Sequence, residues 1–220
     1  MNIGKHYEPH QLVFTDESSF NCMTLQHSFV WSQCGDHAYH QDFFVQGTRC
    51  VPIIFLINCL ILDRYSILPA LSLDGILHVK VLDHLIAGAD FLTFIKGLLK
   101  QMQPWSLPNS VLVMDSAAIH RVDGIHEMIK AHGAHLIYLP TYSPDLNPIK
   151  EAFSSIKAWL CGNCDYMLGE VEGDSADPYR LIWDAIYSVT PGDTYGWFWH
   201  CEYIAWPLYI VALMFHRPKQ

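Results

Sequence analysis

The chain has 220 residues, a length that suits one domain with a sizeable core better than two. It is 51% hydrophobic and 16% charged, which excludes an intrinsically disordered chain and is poor in charge for a soluble one. The net charge of -9 removes the overall positive field that usually draws proteins to phosphate backbones, so nucleic-acid binding would depend on local basic patches or on a further part.

The N-terminal residues and the cysteines favour a reduced, intracellular protein. No apolar run behind a basic head stands at the start, so we expect a nuclear or cytoplasmic protein that is not secreted. Seven irregularly spaced cysteines are typical of reduced thiols. Cys161 and Cys164 form a single CxxC pair, which lacks the second half of a zinc site, and we favour a structural role for it.

Two stretches, residues 50–62 and residues 204–215, are apolar and almost uncharged. Each is shorter than the roughly 20 residues that a membrane-spanning helix requires. Buried strand or helix is therefore the preferred interpretation, and no membrane partner is expected. The second stretch belongs to an atypical apolar tail, residues 204–220.

The first half of the chain predicts strands and then a helix. Residues 12–15 are an apolar run that ends at acids, as a strand does. Residues 65–71 and 76–82 flank an Asp-Gly turn signal and predict two antiparallel strands. Apolar residues at helical spacing predict an amphipathic helix over residues 90–102, with Asp90 as its N-cap.

The second half predicts a strand over residues 110–114 that ends at Asp115, a helix over residues 125–131 and a strand over residues 135–139. Gly133 marks the end of the helix predicted over residues 125–131. A further helix follows, with Asn147 as its cap, Pro148 in its first position and a buried stripe formed by Ile149, Phe153, Ile156 and Leu160.

This order of elements describes an α/β fold, a mixed sheet flanked by helices. If the strands that end at Asp16 and Asp115 are neighbours, the two carboxylates meet at the sheet edge where ligands of open α/β sheets usually bind. Paired carboxylates suit Mg²⁺ or Mn²⁺, which can clamp a phosphodiester during its displacement. The alternative interpretation is that both acids are solvated loop residues.

Three motifs carry a resemblance to a known family: FTDES from residue 14, VMDSAAIH from residue 113 and YLPTYSPDLNPI from residue 138. In this order they resemble the catalytic domain of mariner-type transposases, which are DDE superfamily endonucleases with a ribonuclease-H-like fold. The resemblance extends roughly over residues 12–197 and implies a catalytic domain over residues 11–165. Residues 166–203 are expected to form a helical extension that Trp183, Trp197 and Trp199 pack onto the sheet.

The resemblance implies roles for individual residues. Asp16 and Asp115 match the first and second catalytic, metal-binding aspartates, and His120 matches a histidine that orients the second motif. Ser116 replaces the asparagine that usually follows the second aspartate. The third acid should follow Asn147-Pro148-Ile149, where this chain carries Lys150.

A lysine cannot bind Mg²⁺ or Mn²⁺ and repels either ion. Glu151 is the next residue and the candidate replacement for the third catalytic acid. One helical residue is about 100 degrees of rotation, however, so Glu151 is expected to point away from the sheet edge unless the first turn frays.

Two further departures from the family pattern concern its periphery. Residues 50–63 resemble an insertion, which together with the tail is compatible with translated noncoding sequence. The helix-turn-helix modules that precede this domain in the family are expected to be missing, which would leave local lysines as candidate phosphate contacts: Lys96, Lys100, Lys130, Lys150 and Lys157. The resemblance implies DNA as a partner, weakly bound by this chain, and leaves a homodimer open.

Two hypotheses of function follow. In the first, the chain is a transposase-derived nuclease domain whose ancestral role is metal-dependent DNA cleavage and strand transfer, impaired because Lys150 occupies the third acid position. In the second, it is a catalytically inactive remnant that keeps the fold, as a binding module or without a function. Lys150 discriminates between them and favours the second.

Overall fold

The structure is a computed structural model that describes residues 3–20, 65–121, 124–140, 143–163 and 178–204. Six strands in these ranges form a single mixed sheet. Their bounds are Leu12–Thr15 (β1), Ser18–Phe20 (β2), Tyr65–Ser72 (β3), Gly75–Leu82 (β4), Val111–Met114 (β5) and His135–Tyr138 (β6). Helices flank the sheet, and the fold is the predicted ribonuclease-H-like α/β class.

The sheet combines parallel and antiparallel pairs. β5 lies between β1 and β6 and is parallel to both. β3 is antiparallel to β1, β2 and β4. Because β4 pairs along β3 from Ser66 to Ser72, β1 and β2 must share the other edge of β3. β1 and β2 therefore follow one another along the same edge of β3, and Asp16 and Glu17 lie at the junction between them.

The hairpin of β3 and β4 turns at the predicted place. Gly75 begins β4 with a φ of 122°, a value that residues with a side chain rarely adopt. The Oγ of Ser72 donates a hydrogen bond to the carbonyl oxygen of Gly75 at 3.0 Å, which closes the turn from inside. The sequence interpretation of the Asp-Gly pair is confirmed.

Helices cover both faces of the sheet. Gly88–Leu99 (α1) and Ile125–His132 (α2) pack on the face that carries Val13, Leu112 and Met114. The other face carries Leu12, Phe14, Val111 and Val113, and packs against Ile149–Gly162 (α3), Pro178–Tyr187 (α4) and Pro191–His200 (α5). Successive strand residues point to opposite faces, so each four-residue strand supplies two separate apolar cores.

The beginning of α1 differs from the sequence prediction. The helix starts at Gly88, and Asp90 is its third residue rather than its N-cap. The Asp90 carboxylate accepts a hydrogen bond from the backbone N–H of Ala87 at 3.2 Å, so the acid stabilises the helix start from inside the first turn. An acid in either position produces the same sequence pattern.

Two more local predictions are corrected. α3 begins at Ile149 after Pro148, and the side chain of Asn147 bonds to Asp16 instead of capping the helix. Trp183 and Trp197 pack against the core as expected, whereas Trp199 is 36% exposed and the neighbouring Phe198 is fully buried. β2 was not predicted, because a three-residue strand has too little pattern to detect.

Several sequence predictions fall outside the described residues. These are the insertion over residues 50–63, the Cys164 half of the CxxC pair and residues 205–220 of the apolar tail. In the ranges that the structure describes, no helix is both long enough and apolar enough to cross a bilayer.

Candidate active site

The first two predicted acids follow neighbouring strand ends. In the parallel pair of β1 and β5, Thr15 is in register with Met114. Asp16 and Asp115 are the next residues of their strands, so they leave the sheet side by side at its carboxyl edge. The charge of Asp115 acts on the carboxyl of Asp16 and contributes to raising its pKa.

The Asp16 carboxylate is buried, and both of its oxygens have partners. Its Oδ2 lies 2.6 Å from the Nζ of Lys150 and accepts a hydrogen bond from the Nδ2 of Asn147 at 3.0 Å. Its Oδ1 accepts one from the backbone N–H of Glu17 at 2.8 Å. The side chain of Asp16 is only 3% exposed, whereas that of Lys150 is 45% exposed. The lysine therefore reaches in from solvent to neutralise an acid inside the protein.

Opposing effects act on the pKa of Asp16. Burial, the largest effect, raises this pKa because it penalises the charged form. The hydrogen bond and the positive charge of Lys150 lower it, and the negative charges of Glu17 and Asp115 raise it again. The net direction is upward, so a single ammonium group only partly offsets burial and two neighbouring acids.

His120 joins the second acid to a residue that the sequence analysis did not assign. The Nδ1 of His120 lies 2.6 Å from the Oδ1 of Asp115, and its Nε2 lies 2.8 Å from the Oε2 of Glu17. Its ring has no exposed surface and packs against Phe91, with 4.7 Å between the ring centroids. Glu17 directly follows Asp16 and belongs to no motif of its own, so the sequence gives no signal of its contact with His120.

The geometry of this bridge implies a charged imidazole. The Nδ1 of His120 hydrogen-bonds to the backbone carbonyl oxygen of Asp115 at 3.3 Å, and its Nε2 to the Glu17 carboxylate at 2.8 Å. Carbonyl and carboxylate oxygens only accept hydrogen bonds, so both ring nitrogens of His120 carry protons. Burial lowers the pKa of His120, but the hydrogen bond with Glu17 and the charges of Glu17 and Asp115 outweigh it and raise the pKa overall. His120 thus serves as a positive link between two acids, a stronger role than orienting a loop.

Further hydrogen bonds hold the loop that carries Asp115 and His120. The Oδ1 of Asp115 accepts the backbone N–H of Ala117 at 2.9 Å, and the Oγ of Ser116 donates to the carbonyl oxygen of Leu139 at 3.1 Å. The hydroxyl of Tyr138 donates to the carbonyl oxygen of His120 at 3.2 Å. Ser116 therefore ties the second motif to the segment after β6.

Glu151 makes its ion pair away from Asp16. Its Oε1 lies 3.3 Å from the Nδ1 of His200, at the end of α5, and its side chain is 42% exposed. Its charge also helps burial to raise the pKa of Cys201 to about 12. The first turn of α3 thus directs Lys150 towards Asp16 and Glu151 towards α5, as the helical rotation of about 100 degrees per residue requires. The role of Glu151 as a third acid stays a prediction.

A family comparison extends over most of the chain. The family model described as DDE superfamily endonuclease matches residues 11–165. The chain belongs to this family. No functionally curated protein matches it.

Solved structures of transposases share the fold of this DDE superfamily member. The Mos1 mariner paired-end complex with Mn is 11% identical, with a TM-score of 0.55, and the match covers 86% of this chain and 51% of that one. The catalytic domain of Mos1 mariner transposase is 13% identical, with a TM-score of 0.52, and the match covers 92% and 82%. The same catalytic domain with Raltegravir and Mg is 13% identical, with a TM-score of 0.53, and the match covers 92% and 84%. This chain thus spans about half of the first of these proteins.

The side chains around Asp16 and Asp115 do not fit a divalent metal ion in this arrangement. His120 contacts both Asp115 and Glu17, but in the described parts of the chain no group of three His, Cys, Asp or Glu side chains is arranged so that it could hold a metal ion. The ammonium of Lys150 stands against the buried oxygen of Asp16, where a metal ion would have to approach. The Nδ1 of the His120 imidazole lies against the Oδ1 of Asp115. This DDE domain places cationic side chains on both of its paired acids.

The candidate phosphate-binding lysines do not share one face. Lys96 and Lys100 lie on or next to α1 and Lys130 lies on α2, which cover one side of the sheet. Lys150 and Lys157 lie on α3, which covers the other side. In the described residues these lysines therefore do not form a single stripe along which a DNA backbone would bind.

Proposed function

We propose that this chain is a transposase-derived DDE endonuclease-like domain that has lost metal-dependent DNA cleavage. The ancestral reaction of its family is the metal-dependent cleavage of a DNA phosphodiester, followed by strand transfer. The observation that carries the proposal is the 2.6 Å contact between the Nζ of Lys150 and the Oδ2 of Asp16. The position of the third acid holds a cation that neutralises the first acid.

Electrostatics explains why this contact opposes metal binding. The family reaction requires Mg²⁺ or Mn²⁺ on several oxygen ligands, of which carboxylates are the usual protein contribution. Two unit positive charges 4 Å apart repel by about 4 kcal/mol at an effective dielectric constant of 20, and a divalent ion doubles that value. The lysine therefore both removes one anionic ligand and adds repulsion at the remaining ones.

The surroundings of Asp115 support the same conclusion. The Oδ1 of Asp115 already accepts the backbone N–H of Ala117 and contacts the Nδ1 of His120. A metal ion at this oxygen would have to displace a buried imidazole that is also bonded to Glu17. The residues of this chain hold the loop and the strand ends together, and any remaining role is one of binding.

The test is metal binding by the full chain and by a charge-reversed variant. The parent chain is expected to show no Mn²⁺ binding by titration calorimetry and no metal-dependent nicking of DNA. Lys150→Glu returns a carboxylate to the third position and is expected to bind Mn²⁺ and to gain thermal stability when Mn²⁺ is added. Lys157→Glu is the matched control, because it changes the charge equally about 10 Å further along α3 and should not create binding.

A different outcome would restore the nuclease hypothesis. If the parent chain binds Mn²⁺ tightly and nicks DNA, and if Asp115→Asn and Glu151→Gln each abolish both, then Glu151 serves as the third acid. The ion pairs of Lys150 with Asp16 and of Glu151 with His200 would then have to open before catalysis.

A further inference from the structure

A recess lies at the opposite end of the sheet from Asp16 and Asp115. It has a volume of about 390 Å³ and is lined by Tyr7, His126, Ile129, Lys130, Ala134, His135 and Leu136. His135 begins β6 in register with Val111, the first residue of β5, whereas Asp115 follows the last residue of β5. The recess therefore lies at the amino ends of the parallel strands, about 13 Å of strand from the acids.

Three aromatic rings pack together and form one wall beside this recess. The ring of His135 stacks on Trp105 with 4.4 Å between centroids and 13° between planes. Tyr7 packs edge-on against both rings, at 5.3 Å from Trp105 and 6.2 Å from His135. The backbone N–H of Trp105 donates to the carbonyl oxygen of Gly133 at 2.8 Å, which fixes this loop against the end of α2.

The other wall is an edge of α2 that carries an imidazole and the ammonium group of Lys130. His126 and Lys130 are four residues apart, so they lie on the same side of the helix, and both are exposed. Among the described residues, neither has an ion-pair partner. No acidic side chain lines the recess, although the chain carries 22 acids against 13 Lys and Arg.

The floor between the two walls is apolar. Ile129 and Ala134 are buried at 1% and 6% exposure, and Leu136 is half-buried. An apolar floor, aromatic rings and a few convergent polar groups are the usual composition of a small-molecule site, and about 390 Å³ lies within the roughly 300–1,000 Å³ of such sites.

We propose that this recess binds a nucleotide unit, with its phosphate at Lys130 and His126 and its base against Tyr7 and His135. Aromatic side chains stack on any base, and an ammonium and an imidazole N–H are donors that a phosphate oxygen accepts. The nucleotide is either free or part of a single DNA strand, since both present the same chemistry. The proposal does not depend on the loss of cleavage, because the recess and the paired acids share no residue.

The test is titration calorimetry of the full chain with deoxyadenosine monophosphate, adenosine, inorganic phosphate and a short single-stranded oligonucleotide. The monophosphate should bind more tightly than adenosine or phosphate. Lys130→Gln should weaken its binding about tenfold. Arg180→Gln, an equal charge change at an exposed position of α4 on the other face of the sheet, should leave it unchanged. Tyr7→Leu should weaken the monophosphate and adenosine, with thermal unfolding showing that the variant is folded.

The oligonucleotide distinguishes the two sources of the nucleotide. Tighter binding of the oligonucleotide, lost in Lys130→Gln, supports a strand as the ligand, and equal or weaker binding supports a free nucleotide. The proposal is overturned if the parent chain binds none of these ligands at millimolar concentration. It is equally overturned if Lys130→Gln and Arg180→Gln weaken binding to the same extent, because that result describes non-specific attraction to charge.

Discussion

At the scale of single residues, the chemistry of this domain depends on which side chain reaches Asp16. Under the proposed function, an acid at position 150 would add an anionic ligand beside Asp16. The lysine found there instead supplies the counter-charge of Asp16. The amide of Asn147 and the backbone N–H of Glu17 satisfy the remaining sites on the carboxylate. The buried Oδ1 of Asn147 has no hydrogen-bond partner in the described structure. The hydrogen bonds around Asp16 therefore satisfy its carboxylate but leave one oxygen of Asn147 unpaired.

The His120 bridge predicts a stability that depends on pH. The pKa of His120 is raised above its ordinary value of 6.5 in the folded protein. Its contribution to the free energy of unfolding is therefore complete below pH 6.5 and is lost as the pH rises through the folded-state pKa. We expect His120→Gln to lower the free energy of unfolding by roughly 2 kcal/mol at mildly acid pH, and by less at alkaline pH.

Urea unfolding of both proteins at a series of pH values measures this difference. His10→Gln is the control, because His10 pairs with Glu8 at the surface with 45% of its side chain exposed, where an ion pair contributes little. A His120→Gln difference that is constant across the series would show that the imidazole acts through packing against Phe91 instead of through its charge.

At the scale of elements, the ends of the helices depend on single backbone conformations. α2 ends at Gly133, whose φ is 83° and whose N–H donates to the carbonyl oxygens of Ile129 and Lys130. Gly133→Ala should destabilise the protein by about 1 kcal/mol, since a side chain is strained at this φ. Thermal or urea unfolding measures the change.

Gly196 provides the matched control for this substitution. It lies inside α5, and a methyl group added there would meet nothing within 4 Å. Gly196→Ala should therefore be neutral or stabilise the protein by up to about 1 kcal/mol. A destabilising effect of equal size at both positions would contradict the assignment of the Gly133 effect to backbone conformation.

At the scale of the whole molecule, the C-terminal helices complete one of the two cores. The family match ends at residue 165, but α4 and α5 bury Leu181, Ile182, Ala185, Ile186 and Phe198 against the sheet and α3. The ring of Phe198 contacts Phe14 of β1 with 5.3 Å between centroids, and the Oγ1 of Thr194 donates to the carbonyl oxygen of Leu73 at 2.7 Å. The extension is thus part of the fold that holds Asp16 in place.

A truncation tests this dependence. Burying a large apolar side chain is worth roughly 1.5–3 kcal/mol, so the loss of four such side chains approaches the whole stability of a domain, about 5–15 kcal/mol. A chain that ends after residue 165 should therefore show no cooperative thermal unfolding by circular dichroism. A chain that ends after residue 204 is the control and should unfold cooperatively. A similar unfolding temperature for both would place α4 and α5 outside the cooperative unit.

Local patterns in the sequence predicted the fold class, most of its elements and the strand-end position of the two acids. Apolar runs and helical spacing are local patterns, and packing helices against a mixed sheet is an arrangement that buries all of the apolar side chains they mark. The Asp-Gly turn and Gly133 mark their positions because few residues adopt those backbone angles. The rotation of about 100 degrees per helical residue similarly predicts that Lys150 and Glu151 point in different directions.

The contact partner of each of these side chains depends on long-range packing. Glu17 and His120 are 103 residues apart in the chain, and Asn147 and Asp16 are 131 residues apart, so no local pattern could pair them. Whether Lys150 points to solvent or to Asp16 depends on where α3 docks on the sheet, and the stripe that drives docking does not include it. The tyrosine, tryptophan and histidine beside α2 likewise come together only when three distant segments fold onto one sheet edge.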